Sequence, residues 1–319
     1  MNILITGGQG YLGGRIASYL QGLDSFYVKV GSRKKRTSPE WLLAGEVVSM
    51  DLESDASLDK ACENADVIVH LAALNHTDCA RNPEEALKVN TLGTLKLIRA
   101  AERSGVKKFI YFSTAHIYGA PLQGCISEET IPRPVHAYSL THKAAEDYVL
   151  AVSDSGSMAG VVLRLSNAFG YPMGITADCW SLLVNDLCRQ AVVSRSLTLN
   201  STGKQRRDFI TLTDVQRAVA HMINISPSKL GNGVFNIGGA WPSRILDMAE
   251  LIQKRCFQTL GYSPEIICPK STAAEPEYNL EYSINKLLST GFNLKSPIDE
   301  EIDQLLLLCK RVDCGQENE

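Results

Sequence analysis

The feature that most restricts how this chain can fold is the glycine run Thr6-Gly7-Gly8-Gln9-Gly10-Tyr11-Leu12-Gly13. It follows the β-branched stretch Asn2 to Ile5 and opens a segment, Leu12 to Gln21, whose apolar residues recur at helical spacing. Glycines at such a junction let the chain turn tightly, let backbone N–H groups approach a pyrophosphate and let helix and strand pack closely, while the helix N-terminus favours the anion. A tight strand-to-helix turn without a ligand is the alternative. Position, spacing and the strands that follow favour a dinucleotide loop, with Gly7, Gly10, Tyr11, Leu12 and Gly13 against the phosphates.

Short β-branched runs then alternate with longer helical patterns up to about Ser166. The runs are Asn2 to Ile5, Tyr27 to Val30, Val47 to Met50, Val67 to Leu71, Phe109 to Phe112 and Gly160 to Leu165. Such alternation predicts a parallel sheet, and fully apolar strands such as Val67-Ile68-Val69 need helices on both faces. The expected fold is therefore α/β, a doubly wound Rossmann-type sheet over residues 1–166, with helices at Leu12 to Gln21, Glu84 to Ser104 and Ala137 to Val152. Gly105 and Gly156 stand where two of these should stop. Residues 167–319 read mostly as a smaller C-terminal substrate lobe, with segments near 209–238 returning to the main domain. In that lobe the pattern predicts helices at Trp180 to Gln190 and Asp214 to Asn224, a strand at Val234 to Ile237 and a helix capped by Ser243.

Composition excludes several classes. With 45% hydrophobic and 21% charged residues over 319 positions, the chain has ordinary globular proportions. A net charge of -3 offers no basic field for nucleic acid or a membrane surface. The longest apolar stretch, Ala65 to Leu74, is too short to span a bilayer and contains Asp66 and His70. No cleavable leader pattern precedes Asn2, so a cytoplasmic location is expected. Nine singly scattered cysteines without a Cys-x-x-Cys pair suit reduced, mostly buried thiols, and no metal site is expected.

The end of the second strand selects between dinucleotides, since an acidic side chain there binds the ribose hydroxyls of NAD. This chain has Gly31-Ser32-Arg33-Lys34-Lys35-Arg36 instead. Ser32 and Arg33 suit a 2′-phosphate, which favours NADP over NAD; a solvated basic turn is the other reading. Asp51, after Val47 to Met50, either contacts adenine or caps the strand end.

Together with the loop, His70-Leu71-Ala72-Ala73, Ser113-Thr114-Ala115-His116-Ile117-Tyr118-Gly119, Tyr138-Ser139-Leu140-Thr141-His142 and Arg207-Asp208-Phe209-Ile210 resemble the extended short-chain dehydrogenase/reductases. The motifs occur in family order from Ile3 to about Asn285, and they look most like the NAD-dependent epimerase/dehydratase branch, which acts on nucleotide sugars. The resemblance implies an NAD(P)-dependent oxidoreductase of epimerase or ketoreductase type. Tyr138 would exchange a proton with a sugar hydroxyl or ketone and Thr114 would hold that oxygen. It places Leu71, Ala72, Ala73, Tyr138 and His142 at the dinucleotide, and Thr114, His116, Asn167 and Arg207 at the substrate. Asn90, in Val89 to Thr94, is expected to have a structural role. A homodimer is expected by analogy, through the helices near Glu84 to Ser104 and Ala137 to Val152.

The chain departs from the family in three places. The family lysine one helical turn after the tyrosine is His142 here, with Lys143 rotated about 100° away on an ideal helix. A protonated His142 would lower the tyrosine pKa and give an activity peak at or below neutral pH. The competing reading is a catalytically weakened or non-catalytic dinucleotide-binding protein, a sensor or scaffold. The acidic pair of the dehydratases is replaced by Ala115 and His116, so dehydration is not expected; His116 is either a second acid/base or an orienting residue. Glu275 and Glu277 stand in the segment Ser271 to Tyr278, where the family often has a further arginine.

Overall fold

The computed structural model describes residues 1–33, 38–269 and 279–315. Lys34-Lys35-Arg36 and the segment Ser271 to Tyr278, with Glu275 and Glu277, lie outside the described residues.

Seven parallel strands make the central sheet: β1 (Asn2–Thr6), β2 (Tyr27–Ser32), β3 (Gly45–Ser49), β4 (Val67–His70), β5 (Lys108–Thr114), β6 (Ala159–Leu165) and β7 (Val234–Ile237). Their order is β3-β2-β1-β4-β5-β6-β7, with every pairing parallel. All four residues of β4 and all seven of β5 are buried, as strands covered on both faces require. Along β1 the side chains alternate with the strand period. Ile3 and Ile5 join a core that includes Ile16, Leu20, Val215 and Met222, whereas Leu4 joins one that includes Leu58, Leu97 and Val149. Helices Tyr11–Gln21 and Leu212–Asn224 therefore cover one face, and Asp55–Cys62, Gly93–Arg103 and Ala137–Asp154 the other. Gly105 and Gly156, at φ of 71° and 75°, follow the ends of Gly93–Arg103 and Ala137–Asp154.

The strand order reverses direction between β1 and β4, and the crevice beyond their carboxyl ends is where such sheets bind ligands. Beyond the sheet, helices Leu183–Val193, Ile245–Leu260 and Ile298–Asp313 bury a separate core around Leu187, Met248, Ile252, Leu305 and Leu306. The segment from 206 divides its allegiance. Arg206–Thr211 pairs with Asn167–Phe169 and Pro242–Arg244 in a small sheet, whereas β7 extends the main one. Lys108 ties these parts together. Its Nζ donates to the carbonyls of Met222, Ile223 and Ile225 at 2.9, 2.7 and 3.1 Å, satisfying the exposed end of the helix before them. Burial pushes its pKa down to about 8.

Three local expectations are corrected. The helix placed at Trp180 begins at Leu183 and runs to Val193; Trp180 stays in the preceding loop, with Nε1 on the Ile175 carbonyl at 3.3 Å. Ser243 does not cap the next helix, because it pairs with Arg207 in the small sheet; Arg244 takes the N-cap position, its N–H held by Asp247 at 3.1 Å. The stretch Glu84 to Ser104 is not one continuous α-helix, since a π-helical segment, Leu87–Leu92, interrupts it at Asn90. Six of the nine cysteines are buried, the exceptions being Cys125, Cys268 and Cys314. Among the described residues no helix is long and apolar enough to cross a membrane.

Candidate active site

The glycine loop is shaped by contacts that exclude side chains. A Cβ on Gly13 would lie 2.2 Å from the Gly7 carbonyl oxygen, and one on Gly7, which sits at φ 65°, would lie 3.0 Å from Ala72 N. Thr6 locks the crossing from the other side, its Oγ1 accepting the N–H groups of Leu71 and Ala72 at 3.1 Å each. Because that oxygen accepts twice, its own proton goes to His70 Nδ1 at 2.6 Å. Thr94 Oγ1 donates to the Asn90 carbonyl at 2.6 Å and so accepts from His70 Nε2 at 2.9 Å. His70 is thus neutral, and burial pushes its pKa down to about 3.

A cavity of about 440 Å³ opens at this crossing. Gly7, Gly10, Ser32, Arg33, Asp51, Leu71, Ala72 and Ala73 line it, all singled out in the sequence, together with Gly31. Gln9, Met50, Leu52, Glu53, Leu74, Glu85 and Val89 also line it and carry no motif that marks them in advance. Tyr11 and Leu12 are otherwise engaged. The Tyr11 hydroxyl bonds the Gly170 carbonyl at 3.0 Å, and Leu12 packs into apolar clusters. What they offer a phosphate is the backbone of the helix N-terminus. At the end of β2 the acidic residue that NAD enzymes carry is replaced by Gly31, where a Cβ would meet the flexible Met50 side chain, Sδ at 3.0 Å.

The second part of the site lies at the end of β5. Helix Ala137–Asp154 starts at His136, whose Nδ1 accepts the Ser139 N–H at 3.2 Å, and this sets Tyr138 in the first turn facing Thr114. The Thr114 side chain lies near enough to the Tyr138 hydroxyl to favour its ionised form, and its Oγ1 accepts the His116 N–H at 3.2 Å. Burial raises the Tyr138 pKa to about 12, with Cys79 adding to the rise and Thr114 opposing it. One turn along, the His142 ring stands 4.4 Å from the Tyr138 ring at 64°. Lys143 points away and pairs with Asp147. Asn90 is fully used as structure: its Oδ1 accepts from Leu74 N at 2.7 Å and its Nδ2 donates to Thr141 Oγ1 at 3.1 Å.

The expectation of an imidazolium beside Tyr138 is corrected. His142 is 3% exposed, and burial pushes its pKa down to about 4 against the opposing pull of the Phe112 carbonyl. Its partner is Tyr111, which sequence reasoning missed, at 2.7 Å from Nδ1. Burial keeps that phenol protonated, and it shares a hydrogen bond with the neutral imidazole. Nε2 has no hydrogen-bond partner although it is buried, a cost that a bound ribose hydroxyl would remove.

Around this centre, His116 lies beside His136 with rings 5.6 Å apart. Desolvation within the cleft, then His136, Arg207 and His76, push the His116 pKa down to about 4. Arg207 is half-buried, has no ion pair among the described residues, and is lowered by desolvation alone. Asn167 Nδ2 is occupied by the Asp208 carbonyl at 2.9 Å. His76 and His136 escaped sequence reasoning because nothing in their local sequence marks them; only the fold brings them to Tyr138. The described residues contain no cluster of histidine, cysteine and carboxylate suited to a metal ion.

A Rossmann sheet with a glycine crossing, a ribose-end cavity and a Thr-Tyr pair at the end of β5 defines a short-chain dehydrogenase/reductase of the extended type. The sequence model of the NAD dependent epimerase/dehydratase family matches residues 3–238, and the chain belongs to that family. It is 27% identical over 246 residues to the dTDP-D-glucose 4,6-dehydratase of Mus musculus, covering 75% of this chain and 66% of that one. It spans between about half and two thirds of the length of the dehydratases it matches. A putative UDP-glucose 4-epimerase of Methanocaldococcus jannaschii is 24% identical over 317 residues, with 95% and 97% of the two chains covered. The crystal structure of the UDP-glucose 4-epimerase of Thermotoga maritima with UDP-glucose superposes with a TM-score of 0.83 at 22% identity, over 98% of this chain and 99% of that one. At that identity the likeness is one of fold.

Proposed function

We propose that the chain is an NAD(P)-dependent nucleotide-sugar oxidoreductase of the epimerase or ketoreductase type. The observation that carries this is the placement of Tyr138 beside Thr114 and His142, at the same carboxyl end of the sheet as the dinucleotide cavity. A nicotinamide bound there supplies a hydride acceptor and donor. Tyr138 takes the proton from a sugar hydroxyl as it becomes a ketone and returns it in the reverse step, while Thr114 holds that oxygen. His142 Nε2 positions a ribose hydroxyl. Asn167 and Arg207 stand on the substrate side, Arg207 with its guanidinium uncommitted and suited to a diphosphate. Dehydration is not proposed, since Ala115 supplies no titratable group and His116 no carboxylate for elimination. The test is to incubate the protein with either dinucleotide and a panel of nucleotide sugars and their 4-keto derivatives, following products by NMR. An epimer or reduced sugar is expected; no turnover of any member would overturn the reading.

NADP is proposed as the preferred dinucleotide, on the missing acidic side chain at Gly31 and the presence of Ser32 and Arg33 in the cavity wall. In calorimetric titrations Arg33→Ala is expected to weaken NADP about tenfold, or about 1.4 kcal/mol, and to leave NAD unchanged. Equal binding of both dinucleotides by the unaltered protein would refute the preference.

A homodimer is proposed through the helical face where Leu87, Leu92, Leu140 and Tyr148 are 54%, 46%, 52% and 43% exposed, an apolar set that a partner would cover. Light scattering should give twice the chain mass, and a monomer at working concentration would dispose of the idea.

A further inference from the structure

Three histidines from distant parts of the sequence meet around Tyr138. The His136 ring lies 4.7 Å from His76 and 5.6 Å from His116, and Tyr138 is 6.2 Å from both His76 and His136. Each comes from a separate element. His76 opens helix His76–Arg81, His116 lies on the turn Ala115–Tyr118, and His136 caps the helix that carries Tyr138. Proton transfer by Tyr138 with Thr114 uses none of these rings.

Their surroundings are one-sided. The charged or titratable groups that act on His116 are His136, Arg207 and His76, and His136 is faced by His76, with Ser139 Oγ at 3.1 Å from its Nδ1. No carboxylate is among them. Asp78, on the helix of His76, is paired with Arg81 at 3.5 Å, and Asp178 is held by Asn75 Nδ2 at 2.8 Å. Tyr138 faces the rings as a neutral phenol. Among the described residues, then, three imidazoles and a guanidinium meet with no carboxylate between them and oppose one another's protonation, and an anion placed among them reverses that opposition.

We propose that His76, His116 and His136 form a subsite for a carboxylate borne by the sugar ring next to the reacting carbon, so that the substrate is a nucleotide-linked uronic acid rather than a neutral hexose. This rests on the nucleotide-sugar reading above and narrows it. In the free protein His116 is held down to about 4 and His136 is lowered by desolvation and by His76, so both are neutral at pH 7. A bound carboxylate raises the His116 pKa, draws in a proton there and forms charge-assisted hydrogen bonds, while His136, whose Nδ1 accepts the Ser139 N–H, offers its Nε2–H. Uronate affinity therefore strengthens as pH falls, whereas neutral-sugar affinity does not.

The test is calorimetric titration of the dinucleotide-loaded protein with UDP, UDP-glucose and UDP-glucuronate, near pH 6 and near pH 8, in two buffers of different ionisation enthalpy. UDP-glucuronate is expected to bind about tenfold tighter than UDP-glucose at the lower pH, the worth of one charge-assisted contact, with net proton uptake and a smaller gap at the higher pH. His76→Gln and His116→Gln should each shrink that gap, while far-UV circular dichroism of the same variants reports that they are folded. UDP-glucose binding as tightly as UDP-glucuronate, without proton uptake, overturns the subsite and leaves the nucleotide-sugar reading intact. Variants that weaken UDP alone to the same degree assign the histidines to the diphosphate and also overturn it. Absence of binding by all three compounds overturns the subsite and the wider reading together.

Discussion

Tyr138→Phe is expected to lower turnover by about 10²–10⁴-fold, the usual worth of a positioned acid/base, while leaving dinucleotide affinity nearly unchanged. The phenol acts in the transition state, so the loss should fall on kcat rather than on binding. The pH profile follows from the two neighbouring groups. His142 is neutral above about 4 and lends no charge, and Tyr138 stays protonated up to about 12. Below that pKa the phenolate fraction grows tenfold per pH unit, so the sugar-oxidising rate should climb through neutral into alkaline pH instead of peaking at or below neutral. His142→Lys places a cation one turn from the phenol, lowers its pKa and should move the climb to lower pH. Full turnover by Tyr138→Phe, or an unaltered profile in His142→Lys, would show that proton transfer runs through another group.

The largest stability effect should come from Glu301→Ala, at about 3–5 kcal/mol, because it strands a buried guanidinium. Arg15 and Glu301 are 5% and 3% exposed and meet in a bidentate pair at 2.7 and 3.2 Å. Glu301 also accepts from Thr213 N at 2.9 Å and Thr213 Oγ1 at 2.6 Å, and Arg15 lies 4.0 Å over the Tyr171 ring while donating to its carbonyl at 3.0 Å. One residue of the dinucleotide helix is thereby latched to the C-terminal helix and to the loop after Asn167–Phe169. Urea denaturation would measure the loss. A shift below about 1 kcal/mol, the range of exposed pairs, would mean that water reaches the pair.

What the sequence by itself determined was everything encoded within a few neighbouring residues. The glycine crossing, the buried β4 and β5 and the caps at Gly105 and Gly156 all follow from local spacing, because backbone geometry and the strand and helix periods act over that range, whereas the roles of Thr114 and Tyr138 came from the resemblance of their motifs to the family's. The tertiary structure decided what depends on partners distant in the chain. It made His142 a neutral imidazole, since it is buried and the Tyr111 hydroxyl bonded to it comes from β5, 31 residues away. It set Ser243 into a strand instead of a cap, because Arg207 pairs with it. It gathered His76 and His136 around Tyr138, and it joined Arg15 to Glu301 across 286 residues. Protonation, desolvation and pairing depend on which atoms surround a group in space, and for these residues that company is supplied by packing rather than by sequence neighbours.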